Sequence, residues 1–132
     1  MRKIAPIIMV VALVGLSACR TATIRNVSSA PLAAPPGAQL TTQDVSRAIH
    51  TAGTELGWVI QEVRPGEMTG TLTLRKHVAV VAIRYDTATL SIDYKDSQGL
   101  MHNGDQIHRN YNLWIANLVK HIQTEVARQR PG

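Results

Sequence analysis

The sequence predicts an α+β fold, a two-layer sandwich in which a helix, a four-stranded antiparallel meander and a long C-terminal helix follow one another, both helices lying on one face of the sheet. Three observations predict it. Apolar residues between 45 and 56 recur at helical spacing, those between 68 and 94 alternate with period two between turn residues, and those from 107 to 126 return to helical spacing. The period decides which side of an element is buried, so each switch of period marks a change of layer.

The first helix starts at Thr41-Thr42-Gln43-Asp44, a threonine cap followed three residues later by an acid, which approximates a capping box. Val45, Ala48, Ile49, Ala52 and Leu56 form one apolar stripe, and Gly57 suits the left-handed position that ends a helix before Trp58.

The meander begins with Trp58 to Arg64, closed by the turn pair Pro65-Gly66. Met68 to Arg75 then alternates cleanly, and a two-residue turn at Arg75-Lys76 sets Leu74 opposite His77, Leu72 opposite Ala79, Gly70 opposite Val81 and Met68 opposite Ile83. A tight loop from Asp86 to Thr89 sets Tyr85 opposite Leu90, Ile83 opposite Ile92 and Val81 opposite Tyr94. Leu72, Leu74, Ala79, Val81, Ile83, Tyr85, Leu90, Ile92 and Tyr94 thus share a face that must meet the helices. Thr71, Thr73, Val78, Val80, Arg84, Ser91, Asp93 and Lys95 share the face left to water.

A turn-rich link from Asp96-Ser97-Gln98-Gly99 to Asn103-Gly104-Asp105 leads into the final helix, with Asp105 as its cap. Ile107, Tyr111, Trp114, Ile115, Leu118, Val119, Ile122 and Val126 form its buried stripe.

Ahead of this body, residues 1–18 read as an export signal: Arg2 and Lys3, an apolar run of about 13 residues from Ile4 to Leu16, then the small residues Ser17-Ala18. The run is too short to span a bilayer, which takes about 20 residues. Residues 19–39 read as a disordered tether, rich in Ser, Ala and Pro and without amphipathic period, leaving 40–132 as a single domain. The net charge of +5 owes two units to Arg2 and Lys3, and no Lys/Arg cluster interleaves with aromatics, so nucleic acid is not an expected partner.

Leu16-Ser17-Ala18-Cys19 resembles the lipobox of bacterial lipoproteins. The resemblance implies a diacylglycerol thioether on Cys19, cleavage before it and an acyl chain such as palmitate on the freed amine, which together make a stable membrane anchor. Arg20 stands where an acid favours retention in the inner membrane, so the resemblance implies the periplasmic face of the outer membrane. Further along, His77-x-Ala-x-Val-x-Ile-x-Tyr85, Leu90-Ser-Ile-x-Tyr94-x-Asp-Ser97-x-x-Leu100 and Ile107-His108-x-x-Tyr111-Asn112-x-Trp114-Ile115-x-x-Leu118 resemble a family of small proteobacterial lipoproteins. That resemblance implies an α+β envelope lipoprotein and brings no catalytic residue with it.

The five histidines, His50, His77, His102, His108 and His121, include no His-x-x-x-His pair, and the one cysteine is assigned to lipid, so neither usual zinc spacing is present. Asp96, Ser97 and His108 supply the residue types of a nucleophilic triad without the Gly-x-Ser-x-Gly elbow that presents a serine. No metal or cofactor is expected. The candidate ligand or partner surface is His77, Ser97, His108, Tyr111 and Asn112, whose donors and acceptors fall on adjoining faces near the Ser97 loop. The sequence therefore favours a non-enzymatic, membrane-anchored envelope module that binds a protein partner. The alternative is a periplasmic hydrolase or metal-dependent enzyme using His108 with Ser97 or His77.

Overall fold

The computed structural model describes residues 20–129, so the expected signal at 1–18 and lipid-bearing Cys19 lie outside the described residues. In chain order the elements are β1 (Thr21–Thr23), β2 (Val27–Pro31), α1 (Thr42–Glu55), β3 (Trp58–Arg64), β4 (Glu67–Leu74), β5 (His77–Tyr85), β6 (Thr89–Gln98), β7 (Gln106–His108) and α2 (Asn110–Arg128). Strands β3 to β6 pair antiparallel as a meander, β2 adds to its far edge to give the order β2-β6-β5-β4-β3, and β1 pairs with β7 as a separate ribbon. The fold is α+β.

The meander pairs as the alternation requires. Leu74 faces His77, Met68 faces Ile83 and Tyr85 faces Leu90. Buried side chains of that sheet face join those of α1 and α2 in one core, in which Ile49, Met68, Ile83, Leu90, Leu118 and Ile122 are fully enclosed. Every residue of this set lies on the predicted stripe or face. Small residues bring the layers together. A Cβ at Gly53 of α1 would sit 2.6 Å from Ile60 of β3, and one at Gly70 would sit 3.3 Å from the Trp58 ring.

The capping box forms in full: the Thr41 hydroxyl accepts from the Asp44 amide at 3.1 Å, and the Asp44 carboxylate accepts from the Thr41 amide at 2.9 Å. Arg47 donates to the same carboxylate, so this buried acid is satisfied on both oxygens. The Thr41 amide and hydroxyl, with the Arg47 guanidinium, hold the Asp44 carboxyl below its ordinary value. Gly57 follows the helix with φ +86°.

Four expectations need correction. The sheet has five strands, and a sixth and a seventh form the ribbon, because residues 20–39 are not a disordered tether. Thr21–Thr23 pairs with Gln106–His108, and Val27–Pro31 pairs with Thr89–Ile92, so the folded domain starts at residue 20 and not at 40. The final helix starts at Asn110 without a side-chain cap from Asp105, because Ile107 is drawn into β7 opposite Ala22, where it is fully buried. Strand β6 runs through Asp96 and Ser97 to Gln98, residues expected in a loop, and Leu74 is 43% exposed because it ends its strand at a hairpin beyond the helical layer. No described helix is long and apolar enough to cross a membrane.

Candidate functional site

At one end of the sheet five segments meet: the start of β5, the end of β6, the loop 99–105, β7 and the first turn of α2. A bulge in β6 organises this end. Val81 pairs with Tyr94 and Val80 with Asp96, which leaves Lys95 as the extra residue. Beyond it the alternation is reversed, so Ser97, opposite Ala79, joins Tyr94 on the helix side, while Asp96 is turned to the outer face. Tyr94 and Ser97 then share a hydroxyl–hydroxyl hydrogen bond of 2.8 Å.

The loop that follows is pressed against the β4–β5 hairpin. Gly99 has φ +69°, and a Cβ there would lie 2.6 Å from the Lys76 carbonyl oxygen, so only glycine fits. The His77 Nδ1–H donates to the Gly99 carbonyl at 2.8 Å, and the His108 amide donates to the Leu100 carbonyl at 2.7 Å. His102 stacks on Tyr94 with ring centroids 4.5 Å apart and donates from Nε2 to the Gly104 carbonyl at 3.0 Å. Tyr94 in turn meets the buried Tyr111 ring edge-on at 5.8 Å. Burial, with Tyr94 and Asp93 nearby, drives the Tyr111 phenol far above its ordinary value, so it stays protonated at any physiological pH.

Of the five predicted residues the structure brings four together. His77 and His108 have ring centroids 6.2 Å apart, and Ser97 and Tyr111 both reach Tyr94. Asn112 serves another purpose: its Oδ1 accepts from the Arg25 amide at 3.0 Å and its Nδ2 donates to the Thr23 carbonyl at 2.9 Å, so both ends of the amide hold the N-terminal strands. Tyr94 and Gly99 are members that sequence reasoning did not single out, and His102, considered there only as a metal ligand, enters as a ring stacked on Tyr94. The Gly99 position could have been found from its turn context, but the Tyr94–His102 stack depends on a bulge without a sequence signature.

The proton positions limit what this cluster does. His108 accepts the Asn110 amide at Nδ1, 3.1 Å away, and so takes the place of the missing helix cap; its neutral ring carries the proton on Nε2. His77 donates from Nδ1, which leaves Nε2 of its neutral tautomer bare. The pair therefore offers one donor and one acceptor instead of the two bare nitrogens a shared metal requires. Ser97 spends its hydroxyl on Tyr94, and among the described residues no hydrogen bond links it to an imidazole. Nor does any described group of three His, Cys, Asp or Glu converge as a metal site.

A cleft of about 510 Å³ lies at the opposite end of the sheet between Ser29, Arg64, Glu67, Arg84, Asp86 and Ser91. Its two guanidinium groups are paired, Arg64 with Glu67 and Arg84 with Asp93, so neither stands open to an anionic ligand. No family model matches the chain, and comparison with curated proteins and with solved structures returns no significant match.

Proposed function

We propose that this chain is a lipid-anchored protein of the cell envelope, held through Cys19, that works by docking a protein partner and not by catalysis. The observation that carries the reading is the commitment of the polar groups at the candidate site. His77, Ser97, His108 and Asn112 each spend a hydrogen-bonding atom on a loop, a helix end or a strand, and among the described residues no hydrogen bond joins the Ser97 hydroxyl to an imidazole that would activate it. The lipobox-like Leu16-Ser17-Ala18-Cys19 supports the anchor, with Arg20 after it favouring the outer membrane.

The partner surface we assign is the sheet face away from the helices. Thr71, Val80 and Asp96 form one cross-strand row, Thr69, Ala82 and Asp93 the next, and Val59 beside them is 61% exposed. Short β-branched side chains make a flat surface with little rotamer entropy to lose on contact. Its rim carries the Arg84–Asp93 ion pair, so an occupant with an apolar centre and polar edges matches it.

The test is a photo-crosslinking residue at Val80 in intact cells, with a second at His50, exposed on α1, as control. The reading expects one envelope protein captured from Val80 and not from His50, and loss of that adduct on Thr71→Arg with unchanged thermal unfolding. Mass spectrometry of the processed chain should find lipid on Cys19. Equal labelling from both positions, together with ester or amide turnover lost in His108→Ala, would overturn it in favour of the hydrolase.

A further inference from the structure

The N-terminal strands change what an anchor at Cys19 does. The Arg109 amide donates to the Arg20 carbonyl at 2.9 Å, β1 pairs with β7 from Thr21 onward, and the Ile24 amide donates to the Asp105 carbonyl at 2.7 Å. Cys19 is one residue from that first hydrogen bond, about 3.8 Å between α-carbons. A lipid there leaves the folded domain no leash.

The end of the domain from which the chain leaves toward Cys19 has a distinct surface. The contact of Gly99 with Lys76, the bond between the His108 amide and Leu100, and the bond between Arg109 and Arg20 place three segments side by side. These carry Arg75 and Lys76 on the β4–β5 turn, Met101 in the loop, and Arg20 and Arg109 at the ribbon. Leu74 and Met101, two of the five large apolar side chains most exposed among the described residues, stand here at 43% and 47%, and Leu113 at 61% lies one turn into α2. Asp105 and Asp96 are the nearby acids, against four exposed basic residues.

Two further details concern the backbone. Arg75 and Met101 have φ of +55° and +53°, a region disfavoured for any residue with a Cβ, and both side chains are exposed. A glycine would satisfy both turns at lower cost. A long basic and a long apolar side chain are kept instead, as a surface that inserts methylenes between headgroups while pairing with phosphates requires.

Resting on the lipid-anchor reading, we infer that this end of the domain, with Arg20, Arg75, Lys76, Arg109, Leu74 and Met101, docks directly on an anionic phospholipid surface, and that the protein sits on its membrane in one orientation instead of swinging on a tether. The sheet face assigned to the partner then stands upright from the bilayer, because the strands run from the docked end to the far turn at Asp86–Thr89.

The experiment uses the processed, full-length lipoprotein in vesicles of phosphatidylethanolamine and phosphatidylglycerol, or of phosphatidylcholine alone. Cys19 is the one cysteine and is occupied by lipid, so Met101→Cys and, at the far end, Thr87→Cys each supply a single thiol for an environment-sensitive fluorophore. Position 101 is expected to emit to the blue and to resist aqueous iodide several-fold better than position 87 in the anionic vesicles, and to lose most of that protection in phosphatidylcholine. Arg75→Gly with Lys76→Gln should lower the ratio of docked to undocked protein about fivefold per charge, about 25-fold together, while thermal stability is kept. Equal quenching at the two positions on a chain whose Cys19 lipid is verified overturns the docking and leaves the anchor standing. An unmodified Cys19 overturns the anchor reading itself.

Discussion

The meander and the N-terminal strands are equally regular in the folded protein, yet they are held by different forces. Alternate residues are buried from Met68 to Leu72 in β4, from Ala79 to Tyr85 in β5 and from Leu90 to Ile92 in β6, and Met68, Val81, Ile83, Leu90 and Ile92 stabilise the sheet by leaving water. In β1 and β2 no residue is fully buried. Val27 and Ala30 only half-bury against the core, and beyond the ladders to β6 and β7 the strands are held by side chains far along the chain: Asn112 donates to the Thr23 carbonyl and accepts from the Arg25 amide, Ser91 accepts from the Ser29 amide, and Gln123 donates to the Pro31 carbonyl at 3.0 Å. Asn26 repays one of these by accepting from the Tyr94 amide at 3.0 Å. A strand of the first kind carries its own reason to form. A strand of the second kind forms only on a surface already built.

The largest effect should come from breaking the first kind. Ile83→Ala empties a fully buried site between sheet and helices and should cost about 2–5 kcal/mol in denaturant unfolding, with the N-terminal strands lost in the same transition because their surface goes with it. Gly99→Ala strikes the junction of the two regions. It forces a Cβ onto the Lys76 carbonyl at a positive φ and should cost about 2–4 kcal/mol, with the His77–Gly99 bond lost from the imidazole NMR signals.

Asn112→Ala tests the second kind alone. It removes two hydrogen bonds in a half-exposed setting, about 1–2 kcal/mol in all, and hydrogen exchange should speed up from Thr21 to Arg25 while Val81 and Ile83 stay protected. If the sheet centre lost protection in step, the two regions would be one cooperative unit and the distinction would fail.

The smallest expected effect is on pH dependence. Asp86 lies below its ordinary value because the amides of Ala88 and Thr89 donate to it at 2.7 and 2.6 Å, and Asp44 lies low for a similar reason at the other capped turn. A carboxyl lowered in the folded state stabilises above its unfolded value near 4 and loses that contribution as pH falls through the lowered folded value. Asp86→Asn should therefore flatten the acid limb of stability below about pH 4 and leave only a constant offset between pH 6 and 8, measured by thermal unfolding.

Much of the body was legible because burial repeats with the period of the backbone. The Thr41–Asp44 box, Gly57 and the pairings from Leu74–His77 to Tyr85–Leu90 follow from local rules of capping, turn length and alternation. The N-terminal strands were hidden by averaging composition over 20–39. All three prolines of that stretch, Pro31, Pro35 and Pro36, fall at or after the last residue of β2, while Thr21, Thr23, Ile24 and Val27 ahead of them are β-branched. At the candidate site, His77, Ser97, His108 and Tyr111 were found from their residue types. The bulge at Lys95 that turns Ser97 toward Tyr94, and the bonds that commit His77 to Gly99 and His108 to the first turn of α2, depend on how β5, the loop and the helix end pack together.

The sequence by itself determined the helical stripes, the meander with its register as far as Tyr94, and both ends of the first helix, because these are decided within a few residues by sterics and by which side chains leave water. Only the tertiary structure decided that residues 20–31 join the fold, that Ile107 belongs to a strand and not a helix, and that the candidate polar side chains are spent on loops. The first two outcomes rest on hydrogen-bonding partners some 60 to 90 residues away, the third on bonds such as His77 to Gly99 that form only once the loop is packed against the hairpin, and a backbone donor or acceptor carries no local mark of which group will satisfy it.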